Sequence, residues 1–287
     1  SGYESELVPN RARHPGTEHF WGLRNPTLFR QIRAWGAQAV LVFGYNHAAH
    51  LRLIWQARRA RLPLIFRGDS HLLGREQLRG PKVWLLRWLY RQFSAVTYVG
   101  QTNRDYFRTL GVPAERLFFA PHSVNQEHFQ PTPERQENAR QLRRDLGLGS
   151  RRVVLFAGKF VGAKQPVELL QAFQQVASPD RAALVYVGDG AEKPRLLTLA
   201  QEAGDHCIRF LPFANQSEMP ARYLLADVFC LPSRGLYETW GLAVNEAMHM
   251  GRPCLVSDRV GCQRDLVTDR DTGWVFRAED AAHLRQK

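Results

Sequence analysis

Short apolar runs alternate with amphipathic segments along the first half of the chain. Runs of four or five apolar residues are typical of buried strands, whereas apolar residues spaced three and four apart favour helices. The pattern predicts strands at Ala39–Phe43, Leu62–Phe66, Ala95–Val99 and Arg116–Ala120, and helices at His47–Arg61, Pro81–Phe93 and Thr102–Leu110. In the helix Pro81–Phe93, the apolar face consists of Val83, Leu86, Leu89 and Tyr90. Strands that alternate with helices in this way indicate a parallel α/β sheet.

The same alternation restarts after a polar stretch, Gln130–Ser150, which we interpret as the crossing between two domains because it combines prolines, charges and glycines. The pattern then predicts helices at Pro166–Val176 and Glu192–Ala203, and strands at Val153–Ala157, Ala183–Val187, Ile208–Leu211, Val228–Leu231 and Cys254–Ser257. We therefore predict two Rossmann-like, doubly wound domains, at residues 1–130 and 131–287, that face a ligand cleft.

Composition is compatible with this α/β prediction. The chain has 287 residues, of which 44% are hydrophobic, enough to bury real cores. Its longest apolar runs are far shorter than the ~20 residues that span a membrane, and its N-terminus shows no secretory signal pattern. The four cysteines have no C-x-x-C spacing, and Cys230 and Cys254 lie in predicted strands. These features predict a reduced, cytoplasmic protein.

Positive charge is concentrated in the first half. Residues 1–150 carry 22 Lys and Arg against 11 Asp and Glu, whereas residues 151–287 carry 17 against 16. This asymmetry suggests that the first half faces something anionic, such as a phospholipid surface or a phosphorylated acceptor. Ordinary solvated surface is the alternative, because only five of the 39 basic residues are Lys and heavy Arg usage can reflect codon composition.

Two glutamates surround the start of a helix that follows the predicted strand Val228–Leu231. We expect an apolar stripe of Ala243, Ala247 and Met250 on that helix. The free amides of Gly241, Leu242 and Ala243 at its start are suited to a diphosphate, and the absence of a side chain at Gly241 permits close approach. Glu238 and Glu246 flank this start, and their carboxylates can accept hydrogen bonds from ligand hydroxyls. Ordinary surface glutamates on an amphipathic helix are the alternative.

The sequence resembles glycosyltransferase family 4, a GT-B family whose donor domain carries Glu-x7-Glu, a Glu-Ala-Met helix, Gly-x-Pro and a strand. These match Glu238 to Glu246, Ala247-Met248, Gly251-Arg252-Pro253 and Cys254–Ser257. The family's basic residue after the first strand of this domain and the Lys five positions on match Lys159, preceded by Gly158, and Lys164. The resemblance extends through Val187–Gly190, Pro121–Asn125 with Phe129, and Thr272–Trp274.

The resemblance implies a retaining, metal-independent transfer of sugar from a nucleoside-diphosphate sugar, most commonly a UDP-sugar, to a glycan or lipid acceptor of cell-surface polysaccharide or glycolipid. It implies that Glu246 holds the ribose, Glu238 the transferred sugar, and Lys159 and Lys164 the leaving diphosphate. Phe210 to Phe213 would neighbour the base. No cofactor is implied, and the implied donor site comprises Gly158, Lys159, Lys164, Gly188, Phe213, Glu238, Thr239, Trp240, Gly241, Leu242, Ala243 and Glu246.

The sequence departs from the family pattern at several positions. Gly68 stands where relatives place a catalytic His, so we consider Asp69 or His71 as substitutes. Gln165 replaces a common Gly, and Cys262 replaces the second glycine of a pair. The expected first strand and the expected closing helix have no counterpart in the sequence, and we therefore interpret the chain as a fragment of a longer enzyme.

Two other functions are considered. The first is a sugar-nucleotide epimerase of the same fold, although the paired lysines and glutamates favour transfer. The second is a non-enzymatic module that binds an anionic surface or nucleic acid through the basic first half, with Trp35, Trp84 and Trp88 exposed; we expect instead that Trp84 and Trp88 pack in the core with Leu85. We expect no nucleic-acid partner.

Two small-molecule sites are rejected on the pattern. Asp269-Arg270-Asp271 occupies a predicted turn, so we expect no metal site. Gly188-Asp189-Gly190 lacks the third glycine of a dinucleotide fingerprint, which argues against an oxidoreductase.

Overall fold

The computed structural model describes residues 4–74, 78–176, 178, 180–202, 204, 207–235 and 238–287. The chain divides into two units. The first comprises the described residues within Ser1–Ser70, Gln77–Val99 and Asn103–Pro121, and the second those within His71–Glu76, Gly100–Thr102 and His122–Lys287. The second unit thus includes residues 122–130, which the sequence analysis assigned to the first domain.

The first unit is built on a parallel sheet of four described strands in the order β1-β2-β3-β4. The strands are β1 (Val40–Phe43), β2 (Leu64–Arg67), β3 (Ala95–Tyr98) and β4 (Leu117–Phe119). The helices are α1 (Leu28–Ala34), α2 (Ala48–Arg59), α3 (Pro81–Tyr90) and α4 (Gln101–Thr109), of which the first two residues belong to the second unit. Phe66 is central to its core, because its ring contacts those of Tyr90, Phe93 and Phe107 at centroid distances of 5.1, 5.1 and 6.0 Å.

The second unit contains a parallel sheet of six described strands. They are β5 (Arg152–Ala157), β6 (Ala182–Val187), β7 (Cys207–Leu211), β8 (Val228–Leu231), β9 (Cys254–Ser257) and β10 (Gly273–Phe276). The helices are α5 (Pro133–Asp145), α6 (Pro166–Val176), α7 (Lys193–Glu202), α8 (Met219–Leu225), α9 (Leu242–His249), α10 (Gln263–Leu266) and α11 (Ala281–Gln286). Strands β5, β6 and β8 are almost wholly buried, as expected for a parallel sheet covered on both faces.

Strand order locates the functional edge of the second sheet. The order is β10-β9-β8-β5-β6-β7, so the chain moves outward from β5 through β6 to β7 and then returns to the other side of β5 with β8. In doubly wound sheets, ligands bind beyond the carboxyl ends of the strands at this switch point. A ligand site is therefore expected among the residues that follow β5 and β8.

The two-sheet α/β prediction is confirmed, and the strands Val228–Leu231 and Cys254–Ser257 have the predicted bounds. The segment Gln130–Ser150, interpreted as the crossing between domains, lies within the second unit and contains the 13-residue helix α5, which the pattern did not predict. Thr132 caps that helix by accepting a hydrogen bond from the backbone N–H of Arg135 at 3.3 Å, and Pro133 occupies its first turn, where a missing N–H costs nothing.

Helix α3 confirms one prediction and corrects another. Of the predicted apolar face, Leu86, Leu89 and Tyr90 are buried and Val83 is half-buried. Trp84, Leu85 and Trp88 were expected to pack in the core with them, but all three are exposed. The reason is that the sheet can cover only one face of a surface helix, and the opposite face of α3 is apolar as well.

The four cysteines are reduced, as their spacing in the sequence predicted. Cys207, Cys230, Cys254 and Cys262 are all free and buried, and burial raises the pKa of the Cys254 thiol to about 12. In the part of the chain that the structure describes, no helix is both long and apolar enough to cross a membrane.

Candidate functional site

A cavity of about 650 Å³ opens in the second unit beyond the carboxyl ends of β5 and β6. Its walls come from the loops after β5, β6 and β7, from α8 and from the start of α9. The described residues that line it are Ala157, Gly158, Lys159, Val187, Gly188, Asp189, Gly190, Phe213, Ala214, Met219, Tyr223, Ala243 and Glu246. This volume lies in the range typical of small-molecule sites.

Glycines allow the two strand-end loops to touch each other at the cavity floor. A Cβ at Gly188 would lie 2.1 Å from the carbonyl oxygen of Gly158, and a Cβ at Gly190 would lie 2.5 Å from the carbonyl oxygen of Phe160. Both glycines have φ angles, 140° and 155°, that side chains disfavour. The loops are joined by a hydrogen bond from Phe160 N–H to the Asp189 carbonyl at 2.8 Å. The sequence Gly-Asp-Gly thus closes the cavity floor by backbone contact.

Charges of both signs lie at this floor. The exposed Lys159 lines the cavity directly after Gly158. Asp189 also lines it, but the ammonium of Lys193 lies 2.7 Å from its carboxylate. The hydrogen bond from Lys193, followed by that from the Gly190 N–H, lowers the pKa of Asp189 below its usual range. Because the positive charge of Lys193 neutralises the negative charge of Asp189, the charge of Lys159 makes the cavity floor suited to an anion.

Glu246 and Tyr223 form a hydrogen-bonded pair in the opposite wall. The Tyr223 hydroxyl donates to Oε2 of Glu246 at 2.6 Å. Burial raises the pKa of Glu246, while the hydrogen bond from Tyr223 and the nearby His128 act against that rise. Burial also raises the pKa of Tyr223, so its hydroxyl remains a donor at neutral pH. Glu246 therefore presents a fixed carboxylate to the cavity.

Lys164 and Glu238 form a second pair where the loop after β5 meets the loop after β8. The Lys164 ammonium donates to Oε2 of Glu238, and the Ser233 hydroxyl donates to the same oxygen at 2.8 Å. Glu238 is buried, whereas about a quarter of the Lys164 side chain is exposed, 26%. Both of these hydrogen bonds fall on Oε2, so they hold the Glu238 carboxylate in one orientation.

His71 supports Glu238 from the side of the backbone. Its Nδ1 accepts a hydrogen bond from the Leu73 N–H at 3.0 Å, so this nitrogen carries no proton, and its Nε2–H donates to the Glu238 carbonyl at 3.0 Å. His71 as a whole is 1% exposed. Two engaged ring nitrogens suit a positioning role better than the catalytic substitution we considered, which stays a prediction. Asp69 lies in the first unit, after β2, and is half-buried.

The start of α9 places Ala243 at the cavity. Its first intrahelical bond runs from Val244 N–H to the Gly241 carbonyl at 2.8 Å, so the amides of Leu242 and Ala243 precede the helical ladder, as predicted. Of the predicted stripe, Ala247 and Met250 are buried, whereas Ala243 is half-buried and Val244 is the further buried residue. Gly241 has a φ of 100°, and a Cβ there would lie 2.9 Å from Cγ1 of Val260. Core packing and backbone geometry therefore require this glycine.

The predicted donor-site residues divide into two groups. The cavity brings together Gly158, Lys159, Gly188, Phe213, Ala243 and Glu246. The lining does not include Lys164, Glu238, Thr239, Trp240, Gly241 or Leu242, which lie around the Lys164–Glu238 pair and the N-terminal end of α9. Phe210 and Phe213 also separate: Phe213 is exposed at the cavity, whereas the Phe210 ring stacks on Tyr186 at 5.3 Å.

Sequence reasoning missed Tyr223, Met219 and Asp189 as cavity residues. Gly188-Asp189-Gly190 was recognised as a motif, but the Asp189 carboxylate was not predicted to line a ligand site. Tyr223 gave no local signal, because 23 residues separate it from its partner Glu246. No group of three or more potential metal ligands occurs among the residues that the structure describes, and metal independence stays a prediction.

Replacing Tyr223 with Phe tests whether the hydroxyl positions Glu246. We expect ligand affinity at the cavity to fall about 10- to 100-fold, because a hydrogen bond to a charged group contributes about 1.5–3 kcal/mol. The same hydrogen bond lowers the pKa of Glu246, so its loss raises that pKa. An ionised Glu246 exists only above its pKa; the acidic limb of binding should therefore move to higher pH. Affinity measured against pH for both proteins checks this.

Tyr186→Phe is the matched control. Tyr186 also buries a hydroxyl that donates to a backbone carbonyl, that of Pro166 at 2.7 Å, but it does not line the cavity. This variant should lose comparable stability and keep the pH profile of affinity. A profile that moves equally in both variants would assign the effect to general destabilisation.

Comparison with known proteins supplies matches over both units. The family described as glycosyl transferases group 1 matches residues 138–287, and the glycosyl transferase 4-like domain matches residues 4–122. A GDP-mannose-dependent alpha-(1-6)-phosphatidylinositol monomannoside mannosyltransferase from Mycolicibacterium smegmatis is 30% identical over 93% of this chain and 71% of that protein.

Solved structures agree on the fold. HepE from Anabaena in complex with UDP matches with a TM-score of 0.71 and 20% identity, over 90% of this chain and 70% of that one. Sucrose-phosphate synthase from Thermosynechococcus elongatus matches with a TM-score of 0.70 and 22% identity, over 91% and 67%. At these identities, the likeness establishes the shared fold.

Proposed function

Since the chain belongs to the group 1 family of glycosyl transferases and is a GT-B glycosyltransferase, we propose that it transfers a sugar from a nucleoside-diphosphate sugar bound in the cavity of its second unit. The observation that carries this proposal is the pairing of Glu246 with Tyr223 in one wall and Lys159 in the floor. The wall offers a carboxylate for a vicinal diol, and the floor offers a cation for a diphosphate. A sugar-nucleotide epimerase would also need these features, but the matching family consists of transferases.

In the proposed complex, Glu246 accepts hydrogen bonds from the ribose, and the exposed ring of Phe213 provides an apolar surface for the base. The diphosphate lies between Lys159 and the first amides of α9, where the positive end of the helix dipole favours negative charge. Every one of these groups belongs to the second unit. Donor recognition is therefore proposed to depend on this unit.

The reaction requires charge stabilisation as the bond between sugar and diphosphate breaks. Negative charge then develops on the leaving phosphate, and a preorganised cation there lowers the barrier. We assign this role to Lys159 and Lys164. Glu238, held by Lys164 and Ser233, is assigned to a hydroxyl of the transferred sugar. We propose that these residues act without a metal ion and with retention of anomeric configuration.

The base of the donor and the identity of the acceptor are supported by different observations. A UDP-sugar is expected from the family resemblance, whereas the mycobacterial relative of 30% identity is GDP-mannose-dependent. That relative acts on phosphatidylinositol monomannoside, which supports a lipid-linked or glycan acceptor for this chain as well. Both uracil and guanine nucleotides therefore belong in the first experiment.

Thermal unfolding against UDP, GDP, ADP and their common sugars tests the proposal without an acceptor. Stabilisation by one nucleotide family is expected, since a ligand at 100 times its Kd adds about 2.7 kcal/mol. Glu246→Gln should abolish the shift. Burial raises the pKa of Glu246 in the folded protein above its value in the unfolded chain. Ionisation of Glu246 therefore opposes folding as the pH rises through the folded-state pKa. Because Gln carries no such charge, the Gln variant should be no less stable than the wild type at neutral pH.

The matched control is Glu218→Gln, which removes a carboxylate from the same unit at a position that does not line the cavity. It should keep the full nucleotide shift. No shift with any nucleotide, in a protein that unfolds cooperatively, would contradict the proposal. Retention of the anomer, read by NMR of the product, and activity in EDTA test the remaining two statements.

A further inference from the structure

Helix α3 carries two apolar faces, and only one of them is buried. Leu86, Leu89 and Tyr90 face the core of the first unit. On the other side, Trp84, Leu85 and Trp88 are 74%, 61% and 57% exposed. Single exposed apolar residues are ordinary, but two indoles and a leucine within one and a half helical turns form a patch that needs an explanation.

Helical geometry places the three residues together. Successive residues on a helix are separated by about 100°, so Trp84 and Trp88 lie about 40° apart around the axis and Leu85 lies beside Trp88. Arg87 and Arg91 border this patch on one side, and Lys82 borders it on the other. All three cations are exposed. The outer face of α3 is therefore an apolar strip between two positively charged edges.

The sequence segment that contains the strip carries charge of one sign only. Residues 78–104 contain five cations, Arg79, Lys82, Arg87, Arg91 and Arg104, and no Asp or Glu. The side chain of Arg87 also donates to the Thr109 carbonyl at 3.4 Å, which fixes it near the surface of the helix. This segment accounts for much of the positive excess found in the first half of the sequence.

We propose that the outer face of α3, defined by Lys82, Trp84, Leu85, Arg87, Trp88 and Arg91, docks on the surface of an anionic lipid bilayer. Indole rings are suited to the boundary between headgroups and acyl chains, because they have an apolar body and a polar N–H. Lys and Arg beside them meet the negative surface potential of anionic lipids. An amphipathic helix of this kind lies in the plane of the interface. The proposal concerns attachment, and it does not rest on the proposed sugar transfer.

Sedimentation with vesicles tests the surface. The full chain should bind vesicles of phosphatidylcholine with one quarter phosphatidylglycerol and bind pure phosphatidylcholine at least about ten-fold more weakly. Trp84→Ser with Trp88→Ser should reduce partition to the anionic vesicles at least about ten-fold. Arg87→Gln with Arg91→Gln should reduce partition to anionic vesicles only, and added salt should reproduce that loss in the wild type.

Trp35→Ser with Trp55→Ser is the matched control, because these indoles are 63% and 59% exposed in the same unit but lie outside α3. Its vesicle binding should equal that of the wild type. Absence of vesicle binding by the folded wild type, or equal loss in the control pair, would overturn the proposal. So would light scattering that shows a dimer dissociated by the Trp84 and Trp88 substitutions, since a second copy would then be the occupant of this face.

Discussion

Replacing Lys164 with Met is expected to lower kcat by about 100- to 1,000-fold, the loss that follows removal of one preorganised group from a transition state. The substitution removes the cation assigned to the leaving phosphate and also the partner of the buried Glu238 carboxylate. An unpaired buried carboxylate should cost about 3–5 kcal/mol of stability. Rates with the donor identified by thermal unfolding, together with urea unfolding, measure both effects.

A double variant tests whether Lys164 acts through folding alone. Lys164→Met combined with Glu238→Gln removes both charges, so most of the lost stability should return, whereas the rate should stay low. Lys287→Met, which removes an ion pair with Asp269 outside the cavity lining, should change neither quantity by much. Recovery of the rate together with stability in the double variant would show that Lys164 acts only through folding.

Gly188→Ala should reduce the free energy of unfolding by about 3 kcal/mol or more, and it should abolish nucleotide binding. The new Cβ would lie 2.1 Å from the Gly158 carbonyl oxygen, at a backbone φ of 140°. Strain of this kind costs about 1–3 kcal/mol, and overpacking adds a similar amount. The cavity floor must then open, because both glycines line it. Urea unfolding and thermal shifts with nucleotide measure the two consequences.

Gly251→Ala supplies the comparison for backbone strain alone. Gly251 has a φ of +71°, but a Cβ there would meet no atom within 4 Å. Its substitution should cost about 1–2 kcal/mol and leave nucleotide binding intact. If both variants lose the same stability, then contact between the two loops is not what requires glycine at position 188.

Sequence periodicity located most strands of the second unit because they are buried on both faces and therefore appear as continuous apolar runs. Periodicity failed where two faces of one helix show the same apolar spacing. In α3, the residues Trp84, Leu85 and Trp88 have the same helical spacing as Leu86, Leu89 and Tyr90. Periodicity cannot tell which face meets the sheet, because that depends on where the preceding strand ends.

The helix α5 was missed for a different reason. Its composition is highly charged, so the apolar stripe that marks a helix is reduced to one buried residue, Ala139. The start signal was present in the sequence as Thr132 followed by Pro133. Capping chemistry was therefore more informative here than hydrophobic pattern.

The sequence predicted those residues of the candidate site that belong to a motif with fixed spacing. Glu238, Glu246, Lys159 and Lys164 came from fixed spacings that the family resemblance assigned. Tyr223 has no such spacing, and its contact with Glu246 arises only because α8 and α9 pack together. The Lys164–Glu238 pair likewise required the fold, since it joins loops that follow different strands of the sheet.

The residues that line the cavity lie close together in the sequence, which matters for how the site can be inherited. All the described residues that line it fall in an uninterrupted stretch, from Ala157 to Glu246. A recombination event outside this stretch leaves the described lining residues themselves unchanged. The corresponding gene segment could thus pass between related enzymes as a cassette that carries its ligand preference with it, while the remainder of the chain diverges independently.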